Sequence, residues 1–292
     1  LAGPTASGKT GVSISLARHW KTGIISCDSR QMYREMSIGT AKPDPGQLAA
    51  APHFLVDNLS IHDYYSAFRF EQDASALLGD LFTRHDIVIM TGGTGLYMDA
   101  IISGIDDIPD PDPAVRAQLK QRYLEEGLDA ILTEMAVLDP EYFSQVDRKN
   151  PARVLRGMEV CLSAGRPFSS FRVKQPVNRP YRIFLAALGL PRELLYARID
   201  RRVDGMIEIG LEKEALGLYP MRDLNALNTV GYKEFFGQFD GAYGIDETIR
   251  LIKRNTRHYA KRQITWNNRY ADIKVFDPDR PEEIIGWVEQ NR

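Results

Sequence analysis

The chain is 292 residues long, too large for a minimal domain and near the upper size of a single core, so one core with an inserted or appended sub-domain is expected. Hydrophobic residues make up 43% and charged residues 26%, ordinary for a globular protein, and a net charge of −2 excludes a chain-wide pull toward nucleic acid. Cys27 and Cys161 make no disulfide framework, which fits a reducing compartment, expected to be the cytoplasm; no apolar run of about 18 residues and no signal-peptide pattern occurs, and no membrane partner is expected.

The strongest signal comes first. Gly3-Pro4-Thr5-Ala6-Ser7-Gly8-Lys9-Thr10 fits G-x-x-x-x-G-K-[ST] at every fixed position. The glycines let the loop wrap so that successive backbone N–H groups point at phosphate oxygens. The helix that follows adds its positive dipole end to the same anion site. Lys9 would reach the terminal phosphate, and the Thr10 hydroxyl would hold Mg²⁺. The alternative, a chance glycine turn before a helix, is weaker because a helix plainly follows. The loop implies a di- or triphosphate without naming a nucleotide. Leu1 is not Met, and almost none of the strand that should precede such a loop is present, so further residues are expected ahead of it.

Residues 8–20 read as a helix with Val12, Leu16 and Ala17 on one face, Ile14 flanking it and Gly23 stopping the turn. Ile24-Ile25-Ser26-Cys27 is a short apolar run, expected as a buried parallel strand, and it ends in Asp28-Ser29-Arg30-Gln31. Ligands of open α/β sheets sit beyond the carboxyl ends of the strands, so topology puts Asp28 beside the phosphate loop. A carboxylate there would repel a phosphate unless it held a metal or took a proton; the alternative is an Asp capping the next turn. A second strand is expected over 53–57, a helix over 66–83 and a third strand over 86–90. That strand runs into Thr91-Gly92-Gly93-Thr94-Gly95, where an ordinary ATPase of this class carries an Asp for Mg²⁺, which argues against plain ATP hydrolysis.

Residues 106–113 form a linker stiffened by three prolines and extended by its acids. Helices without strand signals follow at about 113–126, 128–137 and 150–164. In the last, Val154, Leu155, Met158, Cys161 and Leu162 form the apolar face, while Arg153 and Arg156 stand three apart on the other and can reach one anion together. A polar loop with Arg172, Lys174 and Arg179 leads to a central strand over 181–188. Residues 105–179 thus read as an all-helical insertion in a core made of 1–104 and 180–292. Pro191 is expected in the first turn of a helix carrying Arg198 and Arg202 on one face. Helices at 210–218 and beyond Gly231 lead to a long helix over 246–266. There Arg250, Arg254, Arg257 and Lys261 form a basic stripe flanked by Lys253 and Arg262, with no acid from 248 to 271. A solvated face is the plainer explanation; the interleaved His258, Tyr259 and Trp266 point instead to nucleic-acid backbone binding. A strand at 273–276 and a helix at 281–290 close the chain. The expected class is α/β: a P-loop NTPase-like core, its parallel sheet flanked by helices, plus the all-helical insertion domain.

These motifs together resemble the tRNA dimethylallyltransferase family, isopentenyltransferases that modify the adenosine beside the anticodon. The resemblance rests on residues 3–10, Asp-Ser-Arg-Gln-Met-Tyr at 28–33, Ile-Gly-Thr-Ala-Lys-Pro at 38–43, Gly-Gly-Thr-Gly-Leu-Tyr at 92–97, Val-Gly-Tyr-Lys-Glu at 230–234 and Ala-Lys-Arg-Gln-Ile-Thr-Trp at 260–266. They run in the family's order over nearly the whole chain. Asn228-Thr229 departs from the more frequent Gln-Ala, and two cysteines cannot build the zinc finger of eukaryotic relatives. The resemblance implies dimethylallyl diphosphate on the phosphate loop, Mg²⁺ as cofactor, the tRNA anticodon stem-loop as partner, and a monomer. It implies that Arg202 helps hold the diphosphate, that Asp28 is the general base toward the adenine N6, and that Thr94 lies in the channel joining the two substrates. It assigns RNA contacts to Asp28, Ser29, Arg30, Gln31 and Thr94, to Arg116, Ala152, Arg153, Val154, Leu155 and Arg156, and to Arg254, Arg257 and Lys261. Three rivals stay open: a small-molecule kinase, a nucleotide-dependent RNA-binding switch, and an adenylate isopentenyltransferase acting on free nucleotides. Whether ATP also binds the loop is open as well.

Overall fold

The computed structural model describes residues 1–173 and 177–292, so Lys174 lies outside the described residues. In chain order the elements are α1 (Lys9–Trp20), β1 (Ile24–Ser26), α2 (Pro45–Ala50), β2 (His53–Phe54), α3 (Ala67–Leu81), β3 (Ile89–Thr91), α4 (Gly95–Ser103), α5 (Pro113–Glu126), α6 (Leu128–Leu138), α7 (Pro140–Gln145), α8 (Pro151–Ala164), β4 (Ala186–Leu188), α9 (Arg192–Glu208), α10 (Leu211–Leu218), α11 (Tyr232–Phe239), α12 (Ile245–Asn267), β5 (Lys274–Phe276) and α13 (Pro281–Asn291). The chain divides into two compact units, Leu1–Tyr65 with Gln72–Asp99 and Pro180–Arg292, and Ser66–Glu71 with Ala100–Arg179. No described helix is long and apolar enough to cross a membrane.

The first unit is built on short parallel strands. Hydrogen-bonded neighbours run β2-β1-β3 and β4-β5, all parallel. The backbone of Leu1 and Ala2 lies between the two sets. The Leu1 nitrogen donates to the Met90 carbonyl at 2.5 Å, Ala2 N–H to Ala186 at 2.7 Å, and Leu188 N–H to Ala2 at 3.0 Å. Ile24 and Ile25 are fully buried, as a central parallel strand demands. The strands are shorter than the apolar runs suggested. The run over 53–57 pairs only at His53–Phe54, because Leu55 and Asp57 turn to φ of 58° and 55°, and the run over 181–188 pairs only at its end. α1 buries Val12, Ile14, Leu16 and Ala17 against the strands, with Ile284 and Val288 of α13 in the same apolar cluster. Lys21, at φ 51°, ends α1 in place of Gly23, where a Cβ would stand 2.5 Å from the Phe54 ring. Pro191 caps α9 with extended ψ of 140° rather than sitting within its first turn.

A second apolar cluster in this unit joins α9–α12 to the segment after β1: Val203, Leu211, Tyr232, Phe235 and Ile252 pack with Tyr33, Met36 and Ile61. Its polar anchor is Glu214 on α10. This carboxylate accepts the Ser37, Ile38 and Gly39 N–H groups at 3.1, 2.8 and 3.0 Å and the Tyr232 hydroxyl at 2.6 Å. Gly39 is obligatory there, since a Cβ would meet the fully buried Tyr232 ring at 2.6 Å.

The second unit is helical. Leu119, Ile131, Met135, Val154 and Met158 from α5, α6 and α8 form its core. Unforeseen from the sequence, α7 interrupts the segment after α6. Asp139, 1% exposed, caps it by accepting the Tyr142 N–H at 3.0 Å, and it also accepts the Ser169 N–H and hydroxyl, both at 2.7 Å. Arg179 pairs with Glu71 at 2.6 Å and donates to the Ala100 and Ile101 carbonyls at 2.9 and 3.0 Å.

Glu214→Ala strands three backbone donors and a buried hydroxyl, so a loss of about 3 kcal/mol in unfolding free energy is expected by denaturant titration. A loss below about 1 kcal/mol would show that water or a neighbour replaces the carboxylate.

Candidate functional site

The segment after Ala2 folds back over its own helix. Gly3, Ala6 and Gly8 take φ of 145°, 63° and 97°, and a Cβ on Gly3 would lie 2.9 Å from Ser7 Oγ. Ser7 is fully buried, and its hydroxyl has no hydrogen-bond partner among the described residues. Lys9 Nζ donates to the Gly3 and Pro4 carbonyls, both at 2.9 Å. Burial pulls the Lys9 ammonium down to about 8, the positive charge of Arg202 adds to that, and Asp28 opposes both. Burial likewise lowers Arg202, again opposed by Asp28. Two half-buried cations and one carboxylate thus share a field short of negative charge, a setting that favours an anion. Cys27 beside them is no nucleophile, because burial pushes its thiol up to about 12.

Asp28 follows β1 and both sequence expectations for it hold a part. One oxygen, Oδ1, caps the turn by accepting the Arg30 and Gln31 N–H groups at 2.9 and 3.4 Å, while the residue also lines a cleft of about 900 Å³. The loop after β3 is tied to it. Thr94 Oγ1 accepts the Ser29 N–H at 2.9 Å and donates to Ser29 Oγ at 3.1 Å, and Thr94 N–H donates to the Cys27 carbonyl at 3.2 Å. Gly92 permits this contact, since a Cβ there would stand 2.4 Å from the Cys27 carbonyl. The Gln31 amide donates to the Thr40 and Ala41 carbonyls at 3.2 and 3.1 Å, in the loop that Glu214 anchors. Arg30 Nη1 reaches the Asn225 carbonyl at 3.2 Å.

α12 presses its 259–266 stretch onto these loops. Gln263 is buried; its Oε1 accepts the Thr5 N–H at 2.7 Å and its Nε2 donates to the Gly93 carbonyl at 3.0 Å. A Cβ on Gly95 would meet the Trp266 ring at 2.3 Å. Trp266 Nε1 and Arg269 each reach Asp99 at 3.4 Å, and Tyr270 donates to the same carboxylate. The sequence marks Gln263 only within the 260–266 motif, without a role of its own, and gives Glu214 and Asp99 none.

The cleft gathers Thr5, Ala6, Ser7, Gly8, Lys9, Thr10, Asp28, Ser29, Arg30, Gln31, Thr94 and Arg202. Gly3 and Pro4 lie beneath, as acceptors for Lys9. Much of the basic stripe is paired, by acids of a neighbouring helix and of α12's own first turn. Arg257 pairs with Asp200, Lys253 with Asp204, and Arg250 with Glu247, whereas Arg254 and Lys261 are exposed and form no salt bridge among the described residues. His258 and Arg262 of the same helix line the cleft. In the second unit, Ala152 and Arg153 are exposed. Val154 is not: it is fully buried in the helical core, so its side chain cannot touch an RNA. Leu155 packs partly against that core. Arg153 and Arg156 do not act as a pair. Arg156 is drawn to Glu159 at 3.9 Å and the Pro109 carbonyl at 3.2 Å, and Arg116 makes a two-pronged bond to Glu159 at 3.0 Å.

Among the described residues no group of three His, Cys, Asp or Glu side chains could hold a metal ion unaided. Mg²⁺ takes few protein ligands and fills its shell with water and substrate oxygens, so the Thr10 hydroxyl and Asp28 in one cleft fit it only alongside a bound diphosphate.

The family model described as IPP transferase matches residues 31–270. The chain is 48% identical to tRNA dimethylallyltransferase 1 of Phocaeicola vulgatus, covering 99% of this chain and 96% of the relative. It is 50% identical to tRNA dimethylallyltransferase 2 of Porphyromonas gingivalis, over 98% and 95%. Among solved structures, it is similar to the full-length tRNA isopentenylpyrophosphate transferase of Bacillus halodurans, with a TM-score of 0.71, 34% identity and coverage of 99% and 94%. A eukaryotic dimethylallyltransferase acting on tRNA gives a TM-score of 0.77 at 26% identity, covering 95% of this chain and 72% of that one. Similarity to these enzymes thus extends over nearly the whole of this chain, and the chain belongs to the IPP transferase family.

Proposed function

We propose that the protein transfers the dimethylallyl group of dimethylallyl diphosphate to the exocyclic N6 of the adenosine 3′ to the anticodon, in tRNAs reading codons that begin with U. Diphosphate is the other product. The observation that carries this is one cleft lined by the phosphate loop with Lys9 and Arg202 and by Asp28 with its tied Ser29–Thr94 pair. A kinase is set aside by the family, and by Gly92, which has no room for a metal-binding side chain.

The reaction breaks the allylic C–O bond, forms the C–N bond and moves one proton off N6. The diphosphate gains charge as it leaves. The N–H groups of Ala6 and of Gly8 to Thr10, the Lys9 ammonium and the Arg202 guanidinium are fixed in place before it does, which is where electrostatic stabilisation is strongest. Mg²⁺, when held by the Thr10 hydroxyl and the diphosphate oxygens, would neutralise part of that charge. N6 is a weak nucleophile because its lone pair is delocalised into the ring. Asp28, with Oδ1 anchored to the turn, takes the proton; such assistance is worth typically ~10²–10⁴-fold. The adenine must leave the anticodon stack to reach the carboxylate. Ser29, Arg30 and Gln31 meet the flipped nucleotide, and Thr94 lines the passage between the substrates. Exposed Arg254 and Lys261 on α12, and Arg153 in the helical unit, serve the RNA backbone; Arg116, Arg156 and Arg257, already paired, serve it less. The protein works as a cytoplasmic monomer.

Asp28→Ala should bind dimethylallyl diphosphate and tRNA within a few-fold of wild type while losing about 10²–10⁴ in kcat for label transfer. Retention of most of the rate would remove Asp28 from the chemistry. Excess AMP should not compete with tRNA as acceptor; efficient prenylation of free AMP would favour the adenylate-transferring alternative. Because free Lys9 loses its proton near pH 8, diphosphate affinity should be level below that pH and fall above it. Calorimetry with inorganic diphosphate should find roughly tenfold weaker binding at pH 9 than at pH 7. Equal affinities would mean that Lys9 stays charged throughout or does not touch the anion.

A further inference from the structure

The donor loop and the acceptor loops leave different strands, yet the transfer needs their cargoes aligned to within an ångström. One side chain spans them. Gln263, buried on α12, accepts the Thr5 N–H at 2.7 Å and donates to the Gly93 carbonyl at 3.0 Å. Gly93 precedes Thr94, and Thr94 holds Ser29, next to Asp28. The bridge therefore runs from the phosphate loop through one carboxamide to the loop that Thr94 ties to the general base. It needs a group with both an acceptor and a donor, which among uncharged side chains of this length is Gln. The site is built around it: a Cβ on Gly93 would stand 2.1 Å from the Gln263 Nε2. Lys261 and Arg262, its neighbours in the chain, are exposed, and Arg262 lines the cleft. The helix that fixes the two loops is thus the one offered to the RNA.

On the transferase assignment above, we propose that Gln263 is a positioning residue that holds the diphosphate loop and the Asp28–Thr94 loops in register for transfer. It lines the same cleft, but its carboxamide is already engaged with Thr5 and Gly93, so its loss acts on kcat before it acts on tRNA affinity.

The test compares wild type, Gln263→Leu and Gln263→Glu for kcat, both KM values, thermal midpoint and pH dependence, with dimethylallyl diphosphate and an unmodified anticodon stem-loop. Gln263→Leu loses both bonds, and its kcat should fall by about ten- to hundredfold with the KM for RNA within threefold. Gln263→Glu carries a second signature. A carboxylate cannot donate to the Gly93 carbonyl, but a protonated carboxyl can, so its rate relative to wild type should rise as the pH is lowered, while that of Gln263→Leu stays level. Gly93→Ala, which expels the carboxamide, should reproduce the Gln263→Leu loss and add little to it in the double variant. An unchanged kcat in Gln263→Leu, a flat relative rate for Gln263→Glu, or a KM for RNA that rises as much as kcat falls would overturn the proposal. If Gln263→Leu fails to fold, the pH dependence of Gln263→Glu decides alone. Wild type that transfers nothing to RNA sinks the transferase assignment together with this role; active wild type with unaffected variants sinks this role alone.

Discussion

The parallel alignment of short strands on either side of Leu1–Ala2 is the constraint on which the first unit depends. Those two residues hydrogen-bond to β3 through Met90 and to β4 through Ala186 and Leu188. Because every pairing is parallel, the carboxyl ends of Ala2, β1 and β3 open on one edge, and the loops that follow them meet there. Strands of two or three residues suffice because Ile24, Ile89, Ala186 and Leu188 are buried in the same apolar cluster as α1 and α13.

Glycines decide how closely these loops approach. Gly92 lies against the Cys27 carbonyl, Gly93 against Gln263, Gly95 against Trp266 and Gly39 against Tyr232, each at a distance that no Cβ tolerates. The polar groups around them are held in turn by side-chain anchors: half-buried Glu214 for the 37–39 backbone, half-buried Asp99 for Trp266 and Tyr270, and buried Gln263 for the phosphate loop. Such a frame sets Lys9, Arg202 and Asp28 among the charges that line the cleft, and burial there depresses the two cations.

Much of this was legible from residue order alone. The phosphate loop, the apolar run ending in Asp28 and the long helix with its cations each carry a local pattern, and each sits where that pattern implies. Strand lengths were not legible, because apolar character persists past the last paired residue, as at Leu55. The basic stripe was misjudged for a related reason. No acid lies within 248–271, yet Asp200 and Asp204 come from α9, packed alongside, and Glu247, just ahead of that span, pairs with Arg250. Arg156 looked like a partner for Arg153 by helical spacing, but the nearby Glu159 claims it.

Short-range pattern accounts for the elements of the site: a glycine loop closing on a helix, a carboxylate placed by topology beside it, and helices whose periodicity marks their buried faces. These follow from chemistry repeated at short range, in which spacing alone sets which groups point together. Only the tertiary structure decided which cations remain unpaired, that Val154 is sealed in a core, and that Glu214 and Gln263 are the polar ties between distant loops. A charge or an amide is partnered by whatever the packing brings within about 3 Å, and residues hundreds of positions apart reach that distance only once the helices have docked.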